Sequence, residues 1–324
     1  MEDLDQVLAV QNACSLAMFG REEHEREEIL SEWTMPGLDL ANSMRLILNP
    51  QGQAVAYLEV WDMDEEPIHP WVWGRVHPDY EGLGLGTALL AWAEERCQQS
   101  VAKCPPDVRV SYEVAYTAGY KPAERLYARF GLSPVRTFVT MQIDMEQAPD
   151  DPGLPAGFRF RPYRHPEDFP IVFKTDVEAF RDHWGFWIDE NPEAEMGRWL
   201  HETDNDPHFD PTLWYVVEEI ATGEAVGVNL CSIKSPMGPD IAWVGSLGVR
   251  RQWRGRGLAT AMLQIAFAEF WRRGMRSVAL NADGANLTGA TRIYEKAGMR
   301  VVRQRTVYEK ELRPGREIRV ESLD

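Results

Sequence analysis

The residues with the clearest chemical capacity lie at 241–260, IAWVGSLGVRRQWRGRGLAT. An apolar strand runs there into a turn dense in Gly and Arg and then into the first turn of a helix. The first N–H groups of a helix have no intrahelical partner, and the helix dipole favours negative charge beside them. Gly255 and Gly257 allow an oxyanion to approach the backbone with no Cβ in the way. Arg250, Arg251, Arg254 and Arg256 add cationic donors suited to phosphate. The expected ligand therefore carries phosphate. The spacing is not that of a P-loop, since no Gly-Lys-Ser/Thr follows, and Thr260 stands where a dinucleotide fingerprint needs its third small residue. A second stretch, 286–298, NLTGATRIYEKAG, offers Asn286 as an N-cap and Gly298 as the residue after a helix end. Ala290, Ile293 and Ala297 share one helical face, flanked by Tyr294.

The pattern Gln252-x-x-Gly255-x-Gly257 after Leu247-Gly248-Val249, followed by Asn286…Tyr294…Gly298, resembles the two signatures of the GNAT acetyltransferase superfamily, in the correct order and with a strand at 277–281 between them. The resemblance implies a mixed α/β fold and direct transfer of acetyl from acetyl-CoA to an amine. It implies that the backbone of Leu247, Gly248 and Val249 pairs with the pantetheine amides. The cofactor's diphosphate is then expected on Gln252, Arg254, Gly255, Arg256, Gly257, Leu258, Ala259 and Thr260, with Asn286 also contacting CoA and Tyr294 beside the sulfur. An N–H near Leu247 can act as an oxyanion donor. A free thiol has a pKa near 8.5 and tyrosine near 10, so full proton transfer from Tyr294 is uphill by about 2 kcal/mol, and hydrogen-bond donation to the leaving sulfur is the simpler role. The amine also needs a base; Glu218, Glu219, Asp182 and His183 are candidates that spacing does not separate.

In GNAT folds the helical region before the strands lines the acceptor side. Asp182, His183 and Trp184 fall in it, where they either hold a cationic or sugar-like acceptor or belong to an amphipathic helix packing its tryptophans. His183 has no metal-ligand companion at i+4 and the four cysteines have no C-x-x-C pairing, so no metal is expected.

The elements that must position these residues occur twice. Residues 71–76 read as a strand, followed by VHPDYEGLGLGTALL, in which Gly82 and Gly84 match Gly255 and Gly257, and Tyr127 matches Tyr294. The expected architecture is α/β (α+β), two tandem GNAT folds, each a mixed and mostly antiparallel sheet flanked by helices. The expected division is an N-terminal domain at 1–146, a Pro/Gly-rich linker at 147–157, and a catalytic domain at 158–324. Further expected strands are 44–48, 54–61, 108–113, 137–143, 158–163, 213–219 and 225–234, with helices at 4–19, 22–33 and 123–129 and a helical region at 167–201. The first copy begins at a helix and lacks the opening strand of the second, so residues 316–322, of alternating type, are expected to supply that edge strand. Its phosphate loop looks degenerate: Asp79 replaces Gln252 and Glu81 replaces Arg254. At about 5 Å and an effective dielectric near 20, each carboxylate would oppose a phosphate charge by roughly 3 kcal/mol.

Composition sets the outer bounds. The 324 residues carry a net charge of −17, which argues against nucleic-acid binding. Residues 1–150 hold 25 Asp/Glu against 11 Lys/Arg and residues 151–324 hold 26 against 23, so the second half is the better host for three phosphates. No apolar run reaches a membrane-spanning length and the acidic start is not a signal peptide, which fits a cytoplasmic protein, monomer or homodimer, with reduced cysteines. The expected partner is a small-molecule amine; the other class open to such a chain is a non-catalytic acyl-CoA-binding or scaffold protein.

Overall fold

Alternation and capping chemistry set the elements, and the computed structural model of the chain describes residues 3–187, 191–285 and 290–321. Helix α1 (Leu4–Phe19) buries Leu4, Val7, Val10 and Cys14 along one face and stops at Gly20, whose φ of 75° lets its N–H reach the Leu16 carbonyl. Helix α2 (Arg26–Trp33) starts later than expected because a capping box between Glu25 and Glu28 fixes its first turn. A short helix α3 (Leu40–Ser43) leads into β1 (Met44–Leu48), β2 (Ala54–Trp61) and β3 (Trp71–Val76). Then come α4 (Leu85–Val101), β4 (Val110–Thr117), α5 (Lys121–Arg129) and β5 (Ser133–Asp144). The second copy runs β6 (Phe158–Pro162), α6 (Phe169–Phe180), α7 (Pro192–Asn205), β7 (Trp214–Glu219), β8 (Ala225–Ser232), β9 (Ile241–Val249), α8 (Leu258–Arg272), β10 (Ser277–Asp283), α9 (Ala290–Lys296) and β11 (Arg300–Arg313).

Two compact units result, and they do not follow the contiguous halves of the chain. The first comprises residues 1–136, 188–207 and 305–318; the second comprises 137–187, 208–304 and 319–324. In the first unit the strand order is β1-β2-β3-β4-β11, antiparallel except for β3 with β4. In the second it is β5-β10-β9-β8-β7-β6, antiparallel except for β10 with β9. Each copy's last strand thus completes the other copy's sheet: Arg305–Arg313 pairs with β4, and Phe138–Asp144 pairs with β10. Helix α7 likewise counts with the first unit, where Arg198 Nη2 meets Asp64 at 2.7 Å.

The first unit's core gathers Leu58, Val60, Leu89, Leu90, Ala93, Tyr112 and Tyr308 on one face of its sheet, and Leu4, Val7, Ile29, Trp33 and Tyr57 under α1 and α2 on the other. The second unit's core joins Met141, Val244, Leu263, Phe267, Phe270, Val278, Leu280 and Tyr294. The expected edge strand at 316–322 does not form. Arg316 makes a single parallel bridge to Val108, with its N–H on the Asp107 carbonyl at 2.7 Å, while Val320 exchanges backbone hydrogen bonds with Gly185 and Phe186. The tail's backbone groups are satisfied beside β4, at Asp107 and Arg109, and after α6, at Gly185 and Phe186. Among the described residues no helix is long and apolar enough to cross a membrane.

Candidate active site

In the second unit β9 pairs with β8 along its length, from Ser232↔Trp243 to Gly227↔Val249. On its other side it pairs with β10 only from Ser277↔Ile241 to Leu280↔Val244. A bulge at Leu230/Cys231 leaves Gly245 as the extra residue, and past it the two parallel strands part. Backbone groups of residues 245–249 on that side have no β10 partner, which makes an edge for an extended ligand to join. Gly248 is required here: a Cβ would lie 2.9 Å from Ala179 Cβ and 3.0 Å from the Phe180 ring, so α6 packs directly on this strand end. Leu247 and Val249 side chains serve the core, as expected for both.

The loop after β9 is a single 3₁₀ turn, Arg251–Trp253, followed by Gly255 at φ 76° and Gly257 at φ 81°. Gly257 is the N-cap of α8 and offers no side chain to its first amides. Leu258 is buried and Ala259 partly so, which seats the helix start, while Gln252, Gly255, Arg256, Gly257 and Thr260 are exposed. A Cβ built on Gly255 would meet nothing within 4 Å. At Gly257 a Cβ would lie 3.9 Å from Pro155, so the loop is open at Gly255 and bordered at the helix start.

Three of the four arginines divide their work in a way spacing did not reveal. Arg254 donates through Nη1 and Nη2 to Asp182 at 2.5 and 2.7 Å, through Nη2 to the Ala179 carbonyl at 2.7 Å and through Nε to the Val249 carbonyl at 3.1 Å. It braces α6 against the loop, and Asp182, expected on the acceptor side, is its counter-ion; the hydrogen bonds from Arg254 hold the Asp182 carboxyl below its ordinary range despite partial burial. Arg250 lies over the Trp253 ring at 4.8 Å and pairs with Glu178 and Glu224. Arg256 remains exposed near the loop, 3.7 Å from Glu219 and donating to the Gln252 carbonyl at 3.4 Å.

Tyr294 is 9% exposed, and burial raises its pKa. It packs in the cluster that contains Leu247 and Leu280, which flank the opening between β9 and β10. A phenol with a raised pKa stays protonated and remains a donor. Asn286 lies outside the described residues. His183 packs edge-on against Phe180 at 4.7 Å, and Trp184 stacks edge-on with Phe138 and lies under Arg319 at 5.2 Å. Of the candidate bases, Glu218 is buried and paired with Arg159 and Arg161, and Glu219 accepts from Trp253 and Thr222. The sequence reading missed Asp176. This α6 carboxylate accepts a hydrogen bond from the Ser246 hydroxyl, one residue past the bulge on the freed stretch of β9. No periodicity distinguishes it from Glu178 two residues on.

The first unit repeats the geometry. β3 pairs with β4 only at Trp71↔Glu113 and Val72↔Val114, then parts from it. A 3₁₀ turn, Pro78–Tyr80, precedes Gly82 at φ 77° and Gly84 at φ 85°, the N-cap of α4. A cavity of about 970 Å³ opens here, lined by Arg75, Arg125, Arg129, Arg305, Tyr116 and Tyr127 among others. Of the two loop carboxylates, Glu81 lines this cavity and Asp79 points to solvent. Glu81 accepts from the Tyr120 hydroxyl, and the Asp79 side chain is 84% exposed. Tyr127, the counterpart of Tyr294, donates to the Ala115 carbonyl at 3.2 Å, and burial pushes its pKa up to about 12.

The acetyltransferase (GNAT) family profile matches residues 5–132 and 177–299. A mycothiol acetyltransferase of Thermobispora bispora is 28% identical over 304 residues, covering 91% of this chain and 92% of its own. A mycothiol acetyltransferase of Frankia casuarinae is 28% identical over 266 residues, covering 77% of this chain and 70% of its own. Among solved structures, a GCN5-related N-acetyltransferase from Sphaerobacter thermophilus is 34% identical with a TM-score of 0.77, covering 99% of this chain and 96% of its own. A tandem GNAT protein from the clavulanic acid biosynthesis pathway shares the fold at a TM-score of 0.70 and 16% identity, covering 97% of this chain and 96% of its own. With two matched stretches that together span more than half of its length and two copies of one strand–loop–helix site, the chain belongs to the GNAT acetyltransferase family, an acyltransferase of two tandem GNAT folds.

Proposed function

We propose that this acetyltransferase moves acetyl directly from acetyl-CoA to a small primary amine, and that the second copy of the fold carries the chemistry. The observation that supports this most is the opening between β9 and β10 beyond Val244↔Leu280. Its free strand edge suits the pantetheine amides, and the bare amides at the start of α8, with Arg256 beside them, suit the diphosphate. The amine nitrogen attacks the thioester carbon, and the oxyanion forms near the Leu247 amide. Collapse breaks the C–S bond, and the departing sulfur accepts a hydrogen bond from Tyr294. The proton lost by the attacking nitrogen passes on the side of Asp176 and Ser246.

The test is release of CoA thiol with a panel of amines. Because similar relatives are named mycothiol acetyltransferase, mycothiol-related amines come first in the panel, followed by polyamines and aminoglycosides. Thiol release with at least one amine, abolished or greatly slowed in Tyr294→Phe, is the expected outcome. Tight acetyl-CoA binding with no release for any amine would favour an acyl-CoA-binding or scaffold role.

A second reading is favoured by the cavity in the first unit, whose four arginines outnumber its single lining carboxylate, Glu81. Acyl-CoA binds there as well, on Gly82, Gly84 and the start of α4, with Arg125 and Arg129 toward the phosphates. Calorimetry then gives two equivalents of acetyl-CoA per chain, and R125A/R129A reduces this to one. One equivalent in both proteins would remove this reading.

A further inference from the structure

Tyr112, Val114 and Tyr308 of the first unit's sheet face the cluster under α4. Side chains alternate along strands, so Ser111 and Glu113 on β4 and Glu309 and Glu311 on β11 share the opposite face. There Glu113 stands directly across from Glu309. Like charges at such a pair repel, so the arrangement needs a compensating cation. His69 reaches the same spot from the loop before β3. The loop is pinned to β4 by the Ser111 N–H on the Ile68 carbonyl at 3.0 Å and the Glu113 N–H on the Pro70 carbonyl at 2.9 Å. The His69 side chain is 4% exposed; its Nδ1 lies 2.7 Å from Ser111 Oγ, and its Nε2 lies 3.7 Å from Glu317 Oε1. His69, Glu113 and Glu309 each offer one ligand atom, all within 4.8 Å of one another.

Arg109 is the guanidinium at this cluster. It contacts Glu309, and it lies 3.0 Å from both Glu311 and Glu317. Four carboxylates, Glu113, Glu309, Glu311 and Glu317, thus gather around this guanidinium and the His69 imidazole. One ring nitrogen held by a serine hydroxyl, with the other toward carboxylates, is the arrangement that orients a metal-binding histidine.

We propose that His69, Glu113 and Glu309, with Glu317 as a further oxygen donor, bind one divalent transition-metal cation such as zinc or manganese. A nitrogen donor beside carboxylates fits those ions. Ligand atoms around a tetrahedral zinc sit about 3.3 Å apart, so rotation of the glutamate side chains closes the set from its present spacing. The ligands come from the β3 loop, β4 and the far end of the chain, which is why no local His or Cys spacing announced them. Because Glu309 and Glu317 belong to the segment that completes the first unit's sheet, the cation ties that segment to β4 and stabilises the fold by mass action.

The test uses the full chain stripped with EDTA and titrated calorimetrically with ZnCl2 and with MnCl2, followed by thermal unfolding with and without metal. One equivalent of at least one metal binds, and Tm rises with it. H69Q and E113Q lose most of the affinity, and S111A, which removes only the hydroxyl that orients the ring, lowers it by about ten-fold. Circular dichroism checks that each variant is folded; should H69Q or E113Q fail that check, the S111A affinity decides. No heat and no Tm shift with either metal, or wild-type affinity in the folded variants, overturns the site.

Discussion

Arg254 and Asp182 form a two-pronged pair, Nη1 to Oδ2 at 2.5 Å and Nη2 to Oδ1 at 2.7 Å, that ties the end of α6 to the loop before α8. A bracing role and a phosphate-clamp role for the arginine predict opposite effects of one substitution. If Arg254 gripped the diphosphate, Asp182→Asn would release it and tighten acetyl-CoA. As a brace, it needs the charge on Asp182. Asp182→Asn then weakens charge-assisted hydrogen bonds, each contributing about 1.5–3 kcal/mol, and loosens the loop. The expected result is a raised KM for acetyl-CoA and a lowered Tm, read by steady-state kinetics and thermal unfolding.

Tyr294 is buried by Leu280, Ala282 and their neighbours, and this desolvation raises its pKa above the ordinary tyrosine value. The phenol therefore stays protonated throughout the neutral and mildly alkaline range. Tyr294→Phe keeps the ring in its cluster and removes only the donor, so kcat falls by about 100-fold while acetyl-CoA affinity and Tm hold. The sign of the shift adds a second check. Loss of Tyr294 as a donor cannot produce a fall in kcat between pH 7 and 9, so an alkaline limb in that window must persist unchanged in Tyr294→Phe.

The parts of this site that were legible in the sequence are those where backbone geometry restricts residue type. Gly255 and Gly257 both take positive φ, and so do Gly82 and Gly84; this is why the two loops share a glycine spacing. Tyr294 was singled out by the resemblance of the stretch ending at Gly298 to the second GNAT signature. What stayed hidden depends on partners distant in the chain. A period-two pattern identifies β5 as a strand but carries no information on which copy's sheet it completes, and the long strand β11 was not anticipated. The bonds from Arg254 to Asp182 and the Ala179 carbonyl were not legible either, because nothing local says that the end of α6 lies beside the loop. Asp176 gained its interest only when the bulge at Gly245 placed Ser246 beside it.

Asp176 offers a separable test of how the amine is handled. It accepts from Ser246 on the freed stretch of β9, on the strand whose backbone is expected to hold the thioester. Asp176→Asn preserves size and a hydrogen-bonding partner for Ser246 but removes the charge. If Asp176 assists deprotonation of the attacking nitrogen, kcat/KM for the amine drops by about 100-fold while the Kd for acetyl-CoA is unchanged. A parallel loss of acetyl-CoA affinity would instead make Asp176 a support for the strand.

Buried carboxyls in the first unit predict how stability changes with pH. Glu32 on α2 has its pKa pushed up to about 8, first by burial and then by the nearby Glu59, Glu28 and Glu202. Burial also raises Glu59, against the hydrogen bonds it accepts from Trp33 and Trp61, and it raises Glu202. A carboxyl whose folded pKa exceeds its unfolded value favours folding while it is protonated. That contribution is fully present below the unfolded pKa and is lost as pH rises through the folded one. These groups therefore make the fold less stable from about pH 5 to pH 8, the reverse of what ion-paired carboxylates such as Asp168 do on the acid side. Glu32→Gln removes the carboxyl raised to about 8, so it stabilises the chain at pH 8 by on the order of 1 kcal/mol and has little effect near pH 5. Urea unfolding of both proteins at the two pH values reads this directly, and an equal effect at both would assign the change to packing in place of ionisation.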